Sequence, residues 1–326
     1  MSILVTGGAG YIGAHTVRQL LRRGDDVIVL DNLEHGNARA VEGATLIIGD
    51  IADRAALDAL FSEHQIDAVI HLAARKSVEE SLRRPADYFR TNVAGSLALV
   101  EACLRADVHH FVFSSTCAVY GTPSSLPVTE ELPEQPETPY GESKLMVERM
   151  LRWIDRPHAL RSVSLRYFNA AGAADEADLG EDWTQAPNLV PVVMKAALGR
   201  GAPVRIFGTD YPTHDGTAIR DYVHVLDLAD AHLRAVDYLA AGGSSQTINL
   251  GSGQGASVRD VIEQTERAAG RRVPVIEAPR REGDPPAIWS HGARASEHLG
   301  WQPRRGLEEI VESAWRWHST HPDGYS

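Results

Sequence analysis

Short apolar runs alternate along the first half of the chain with longer stretches in which apolar side chains recur every three or four residues. Residues 3–6, 27–30, 46–48, 68–71, 111–114 and 162–166 are rich in Val, Ile and Phe and too short for helices, so they read as strands buried on both faces. Between them, residues 11–23, 54–63, 94–105 and 141–154 carry the period of amphipathic helices. This repeated β-α-β order predicts an α/β protein with a parallel, doubly wound sheet and right-handed crossovers. After about residue 170 the pattern loosens, with proline and turn clusters at 202–217 and 279–286. The expected division is a larger domain over 1–170 and a smaller α/β lobe over 171–326, with segments able to cross between them.

The first turn between strand and helix reads Gly7-Gly8-Ala9-Gly10-Tyr11-Ile12-Gly13. Glycines there allow a tight turn and let a diphosphate reach main-chain amides at a positive helix terminus. Asp31, at the end of the second strand, stands where a carboxylate accepts hydrogen bonds from an adenosine ribose. That carboxylate would repel a 2′-phosphate, so the Rossmann-type site predicted here favours NAD over NADP. Asp50, after the third strand, is placed to meet the adenine edge.

Tyr140 and Lys144 stand four residues apart on one predicted helix and therefore share a face. Thr116 follows a predicted strand, at the carboxyl edge where open α/β sheets bind ligands. Oxidising a secondary alcohol needs a base for the O–H proton and an acceptor for the hydride. A free tyrosine has a pKa near 10, and an adjacent ammonium lowers it by roughly one to three units. Lys144 alone is marginal for this task, and the positive nicotinamide would supply the remainder. Thr116 can hold the same hydroxyl without ionising.

Composition narrows the classes. The chain has 326 residues, 43% hydrophobic and 23% charged, with a formal net charge of −12, which suits an enzyme and argues against general attraction to nucleic acid or anionic lipid. No apolar run reaches membrane-spanning length, and no secretory signal precedes the first strand. The two cysteines, Cys103 and Cys117, have neither zinc nor disulfide spacing, and no His/Cys/Asp set suggests a metal; a cytoplasmic protein is expected. An anionic ligand would need local arginines. His109 and His110 read as an exposed loop pair.

The segments TGGAGYIG, SSTCAVYG, YGESK and RYFNAAG together resemble the extended short-chain dehydrogenase/reductase superfamily. Farther on, NLVP at 188–191, FGTDY at 207–211, GTAIRDYVHV at 216–225 and RREGD at 280–284 are similar to the UDP-glucose 4-epimerases, and the likeness runs essentially the whole length of the chain. The resemblance implies that Tyr140 takes the 4-hydroxyl proton while NAD takes the hydride, giving a 4-keto sugar and transient NADH before return to the opposite face. It implies cofactor contacts from Gly7, Gly10, Tyr11, Ile12, Gly13, Asp31, Asn32, Asp50, Ile51, Leu72, Ala73, Ala74, Lys76, Asn92, Tyr140, Lys144 and Tyr167. Thr116, Asn169, Asn188, Leu189, Phe207, Arg220, Arg281, Asp284 and Ile288 would face the UDP-sugar, the two arginines on its diphosphate and Ile288 against the C2 substituent. It also implies a homodimer through the helices at 94–105 and 141–154. UDP-pentoses and N-acetylhexosamine sugars remain open as substrates. A nucleotide-sugar dehydratase is the rival enzyme, but Cys117 and Ala118 stand where dehydratases of that superfamily carry acidic residues. A non-catalytic NAD-sensing protein would be the reading from another class.

Overall fold

Apolar runs that cannot satisfy their own backbone pair side by side, and here they do so in parallel. The computed structural model describes every residue except Thr184, Gln185, Pro187, residues 282–284 and Ser326. In chain order its strands are β1 Ser2–Thr6, β2 Asp26–Asp31, β3 Thr45–Ile48, β4 Ala68–His71, β5 His110–Thr116, β6 Arg161–Tyr167, β7 Asn169–Ala171, β8 Val204–Phe207, β9 Ile219–His224, β10 Gln246–Leu250, β11 Gly255–Ser257, β12 Val275–Ala278 and β13 Ala287–Ile288. A seven-stranded parallel sheet runs β10-β6-β5-β4-β1-β2-β3. Its order reverses between β1 and β4, the switch point beyond whose carboxyl ends ligands bind.

All six strands expected from the apolar runs are present, β4 with the bounds read and the other five one to three residues longer. His110 opens β5 and is half-buried, whereas His109 is exposed and 3.2 Å from Asp107. The seventh strand, β10, comes from the second half of the chain and lies beside β6, with Gln246 opposite Val163 and Leu250 opposite Tyr167. The helix Val225–Ala240 that precedes it packs on the first helix and on β5. The chain therefore returns to the larger body after building part of the smaller one. There β9 is the hub, paired with β7, β11 and β13, while β8 and β12 form a separate pair.

Two helices position the site. Tyr11–Arg23 starts at extended Gly10 without a side-chain cap and stops at left-handed Gly24, φ +89°, with Arg22 and Arg23 at its negative end. Pro139–His158 starts at Thr138, whose hydroxyl accepts the Gly141 N–H at 3.2 Å, with Pro139 in its first turn. Its buried face carries Gly141, Lys144, Leu145, Glu148 and Leu151. The helix expected from residue 94 begins differently: the backbone makes a π turn over Phe89–Gly95 before Ser96–Arg105. None of the helices among the described residues is long and apolar enough to cross a membrane.

Candidate active site

Main-chain groups build the end where the cofactor is expected. Gly7 has φ +69°, and a Cβ there would fall 2.6 Å from the Ala73 nitrogen. A Cβ on Gly13 would run into the Gly7 carbonyl oxygen. Leu72 and Ala73 both donate to the Thr6 carbonyl, drawing the segment after β4 against the glycine turn. Asp31, only 8% exposed, accepts from Ala9 N at 3.0 Å and from Leu33 N at 2.8 Å. Burial pushes its carboxyl upward against the pull of those hydrogen bonds. Asp50 accepts from Ala52 N at 2.8 Å and from Asn32 at 3.2 Å, beside Ile51. Glycines that no side chain could replace, an uncapped helix start and a buried carboxylate fit a dinucleotide.

Asn92, buried within the π turn, accepts from Arg75 N at 2.8 Å and donates to Arg75 O and Ser143 Oγ, both at 3.0 Å. It thus ties the Ala73–Ala74–Arg75 backbone to the Tyr140 helix, a use of widened helical turns often met at functional sites.

At the carboxyl end of β5, Thr116 stands beside Tyr140. Burial and the neighbouring Tyr167 push the Tyr140 phenol well above its ordinary range, and the Thr116 hydroxyl only partly offsets them. Tyr167 is itself pushed up to about 12 by burial. Lys144 is 4% exposed; its ammonium donates to Ser114 O at 2.8 Å and lies 4.8 Å from the Phe113 ring centre. Burial lowers it to about 7, with Glu148 pulling the other way. The shared helix face predicted for Tyr140 and Lys144 is there, yet the ammonium is turned to the end of β5. Desolvation opposes charge on both groups more strongly than the pairing favours it.

The residues expected around the nucleotide sugar come from separate segments. Asn169, on β7, donates to Asp221 O on β9 at 3.1 Å. Asn188 precedes the helix Leu189–Ala197 in extended conformation, and its side chain does not cap that helix but donates to Glu181 at 3.1 Å. The first amides of this nine-residue helix are thereby left for an anion. Phe207 ends β8 with the Arg281 guanidinium 3.9 Å from its ring centre. Arg220 lies on β9 and donates to Ile219 O at 2.7 Å and Pro285 O at 2.9 Å. Ile288 pairs with it in register but is buried among Val119, Tyr120, Val128, Leu145 and Phe168. Asp284 lies outside the described residues.

Glu181 was not anticipated. It is 5% exposed, receives Asn188 at 3.1 Å and stands 3.9 Å from Lys76 Nζ, so a residue expected at the cofactor and one expected at the sugar meet on one carboxylate. Gly180-Glu181-Asp182 carries no periodic pattern or motif that would single it out in sequence. Glu148 was missed too, although its place one turn beyond Lys144 was visible in the helical period.

Comparison with known proteins agrees with this geometry. The NAD dependent epimerase/dehydratase family matches residues 3–251. The UDP-glucose 4-epimerase of Halalkalibacterium halodurans is 49% identical over 327 aligned positions, covering 100% of this chain and 98% of that one. The crystal structure of UDP-glucose 4-epimerase from Brucella ovis in complex with NAD superposes with a TM-score of 0.94 at 43% identity, covering 96% of this chain and 97% of its own. That of the Bifidobacterium longum enzyme in complex with NAD+ and UDP gives 0.94 at 38% identity, with all of both chains covered. With a sheet whose glycine turn, buried aspartate and threonine–tyrosine pair share one carboxyl edge, the chain belongs to the NAD dependent epimerase/dehydratase family and, within it, to the UDP-glucose 4-epimerases.

Proposed function

We infer that this site performs the NAD-dependent 4-epimerisation of a UDP-hexose, UDP-glucose and UDP-galactose foremost, with the roles of its residues as follows. The observation that carries the reading is Tyr140 placed beside Thr116 on the same sheet edge as the glycine turn. Gly7, Gly10 and Gly13 with the start of the first helix would hold the cofactor's diphosphate, and Asp31 its adenosine ribose. When bound there, NAD supplies a reversible two-electron acceptor and a fixed positive charge. Tyr140 takes the proton of the sugar 4-hydroxyl and later returns it. Because burial resists the phenolate, Tyr140 does so only once positive charge stands beside it. Thr116 keeps the hydroxyl in line as its charge changes. Lys144 holds the strand end through Ser114 O and adds positive potential when protonated.

Arg220 and Arg281 would grip the diphosphate together with the helix terminus at Asn188 and Leu189, with Phe207 and Asp284 near the uridine. This division gives the cofactor mainly to residues 1–170 and the nucleotide sugar mainly to 171–326, with Thr116 and Asn169 crossing to the sugar. Elimination of water fits less well. The Cys117 thiol is pushed up to about 12 by burial and Ala118 has no proton to give, so neither can protonate a leaving hydroxyl. Leu97, Met146 and Trp153 stand exposed on the helices Ser96–Arg105 and Pro139–His158, which supports a homodimer through that pair. Two cysteines without a disulfide suit the cytoplasm. Incubating the purified protein with UDP-glucose, UDP-galactose, UDP-N-acetylglucosamine and UDP-xylose, without added cofactor, and identifying products by NMR tests the reading. The expected result is interconversion of the first two; loss of water, or no conversion of any sugar by NAD-loaded protein, overturns it.

A further inference from the structure

Behind Lys144, one helical turn deeper, lies a carboxylate that contacts neither end of the proposed site. Glu148 is 1% exposed, and every polar contact it makes leads toward the end of β5 or to β6. Ser115 Oγ donates to its Oε1 at 2.5 Å, and Arg166 Nε donates to the same oxygen at 2.9 Å. Arg166 closes the second arm of the fork on Oε2, reaches Glu134 with the same terminal nitrogen, and donates to the Tyr120 hydroxyl at 2.8 Å. Tyr120 in turn donates to Asn249 on β10 at 2.8 Å. The carboxylate therefore gathers the catalytic helix, β5, β6 and, through Tyr120, β10 at a single point.

We propose that Glu148 is a positioning residue for the epimerisation: it fixes the Ser114–Ser115–Thr116 strand end through the Ser115 hydroxyl, one helical turn from Lys144, whose protonated form its charge favours. This rests on the assignment of Tyr140, Thr116 and Lys144 above. Thr116 can align the substrate hydroxyl only if the strand end beneath it does not shift, and Ser115 is its immediate chain neighbour. Lys144 is anchored on the carbonyl of Ser114, so one carboxylate steadies both groups. The electrostatic part follows from what faces the ammonium. On its own helix these are Tyr140 and Glu148, and from β5 come the Ser114 carbonyl and the Phe113 ring. From β4 comes His71, held neutral by burial and hydrogen-bonded to Thr6 and Ser96. On β6, behind Glu148, Arg166 is cationic and shared between Glu148 and Glu134. Among these, Glu148 is the one negative charge near enough to oppose the desolvation of Lys144.

The sign of the effect is fixed. Removing the negative charge makes Lys144 lose its proton at lower pH, so the alkaline fall of kcat moves to lower pH. The test is the pH profile of kcat and of kcat/KM for UDP-galactose with NAD-loaded Glu148→Gln, Glu148→Asp and Ser115→Ala. For Glu148→Gln the alkaline limb should move down by at least about half a pH unit, with KM changed less than about threefold. Glu148→Asp, which keeps the charge, should restore the limb. Ser115→Ala, which keeps the charge but breaks the link to the strand, should lower kcat severalfold with the limb unmoved. Glu148→Gln leaves Arg166 short of a partner in the interior, which can prevent folding. Glu148→Gln/Arg166→Gln, which leaves no buried unpaired cation, is then compared with Arg166→Gln, so that the two differ only in the Glu148 charge, and its limb should again lie lower. A folded, NAD-retaining variant without the Glu148 charge whose alkaline limb coincides with that of its charge-bearing counterpart, wild type for Glu148→Gln and Arg166→Gln for the double variant, overturns the electrostatic part. A Ser115→Ala enzyme with wild-type kcat overturns the mechanical part.

Discussion

At the end proposed for the cofactor, Gly7, Gly10 and Gly13 lie within one turn of chain at a helix start, and a Cβ on Gly7 or Gly13 would run into backbone. At the end proposed for the nucleotide sugar, Asn169, Asn188, Phe207, Arg220 and Arg281 arrive as side chains from five different segments. Changes at the first should therefore act on retention of the cofactor, and changes at the second on KM. The threonine–tyrosine pair between them should act on kcat.

The largest effect expected is at that junction. Tyr140→Phe should keep NAD bound and the fold intact while kcat falls by about 10²–10⁴-fold. Near-normal turnover would remove Tyr140 from proton transfer. At the nucleotide-sugar end, Arg281→Ala should raise KM for UDP-glucose by roughly 10- to 100-fold, the value of one charge-assisted contact, without loss of NAD. A variant that sheds its cofactor would break the separation between the two ends. Gly13→Ala should do the reverse, weakening cofactor retention by about tenfold or more through backbone overpacking, as read by NAD released on denaturation.

Smaller and more discriminating is Ile288→Ala. Because Ile288 is buried beside Leu145 and Phe168, the first consequence is a loss of roughly 2–4 kcal/mol of stability. If its side chain also limits the sugar pocket, kcat/KM for UDP-N-acetylglucosamine relative to UDP-glucose should rise by about tenfold. An unchanged ratio in the folded variant would leave Ile288 as packing alone.

A separate effect, which leaves the two ends alike, is a loss of stability with falling pH. His15 and His232 are lowered to about 4, and His71, His224 and His318 to about 3, each chiefly by burial. The unfolded chain binds protons near pH 6.5 and the folded one does not. Stability is thus full above pH 6.5 and is lost as pH falls toward 4. Melting temperatures across pH 7 to 4.5 should decline steadily; a flat profile would mean these rings are not held neutral.

What the chain disclosed in sequence follows the same divide. β1 to β6, the helix Tyr11–Arg23 and the glycine turn each occupy one contiguous run with a recognisable period, so local pattern was enough. β10 was missed because five residues, QTINL, between a turn and a glycine carry too little pattern, and its place beside β6 is decided by packing across the fold. The π turn around Asn92 went unread: the helix expected over 94–105 takes in only its last two residues, and nothing in the apolar spacing marks the rest. Lys144 was placed on the correct helix face, but the length of its side chain let the ammonium choose the Ser114 carbonyl, which no spacing rule encodes. Glu181 gave no signal at all, since a carboxylate in a turn is ordinarily solvated and only the tertiary fold brings Lys76 and Asn188 to it.

The place of β10 also bears on how the chain is made. While a ribosome is still adding residues before 246, β6 presents a bare row of amides and carbonyls along a sheet that already has its glycine turn and catalytic helix. Such an edge invites pairing with another chain. Nascent protein therefore passes through a window of some 80 residues, or roughly 4–16 seconds at ordinary elongation rates, before its own later segment seals the edge. Fragments ending before residue 246 should accumulate as aggregates, whereas those ending after residue 250 should gain solubility in one step.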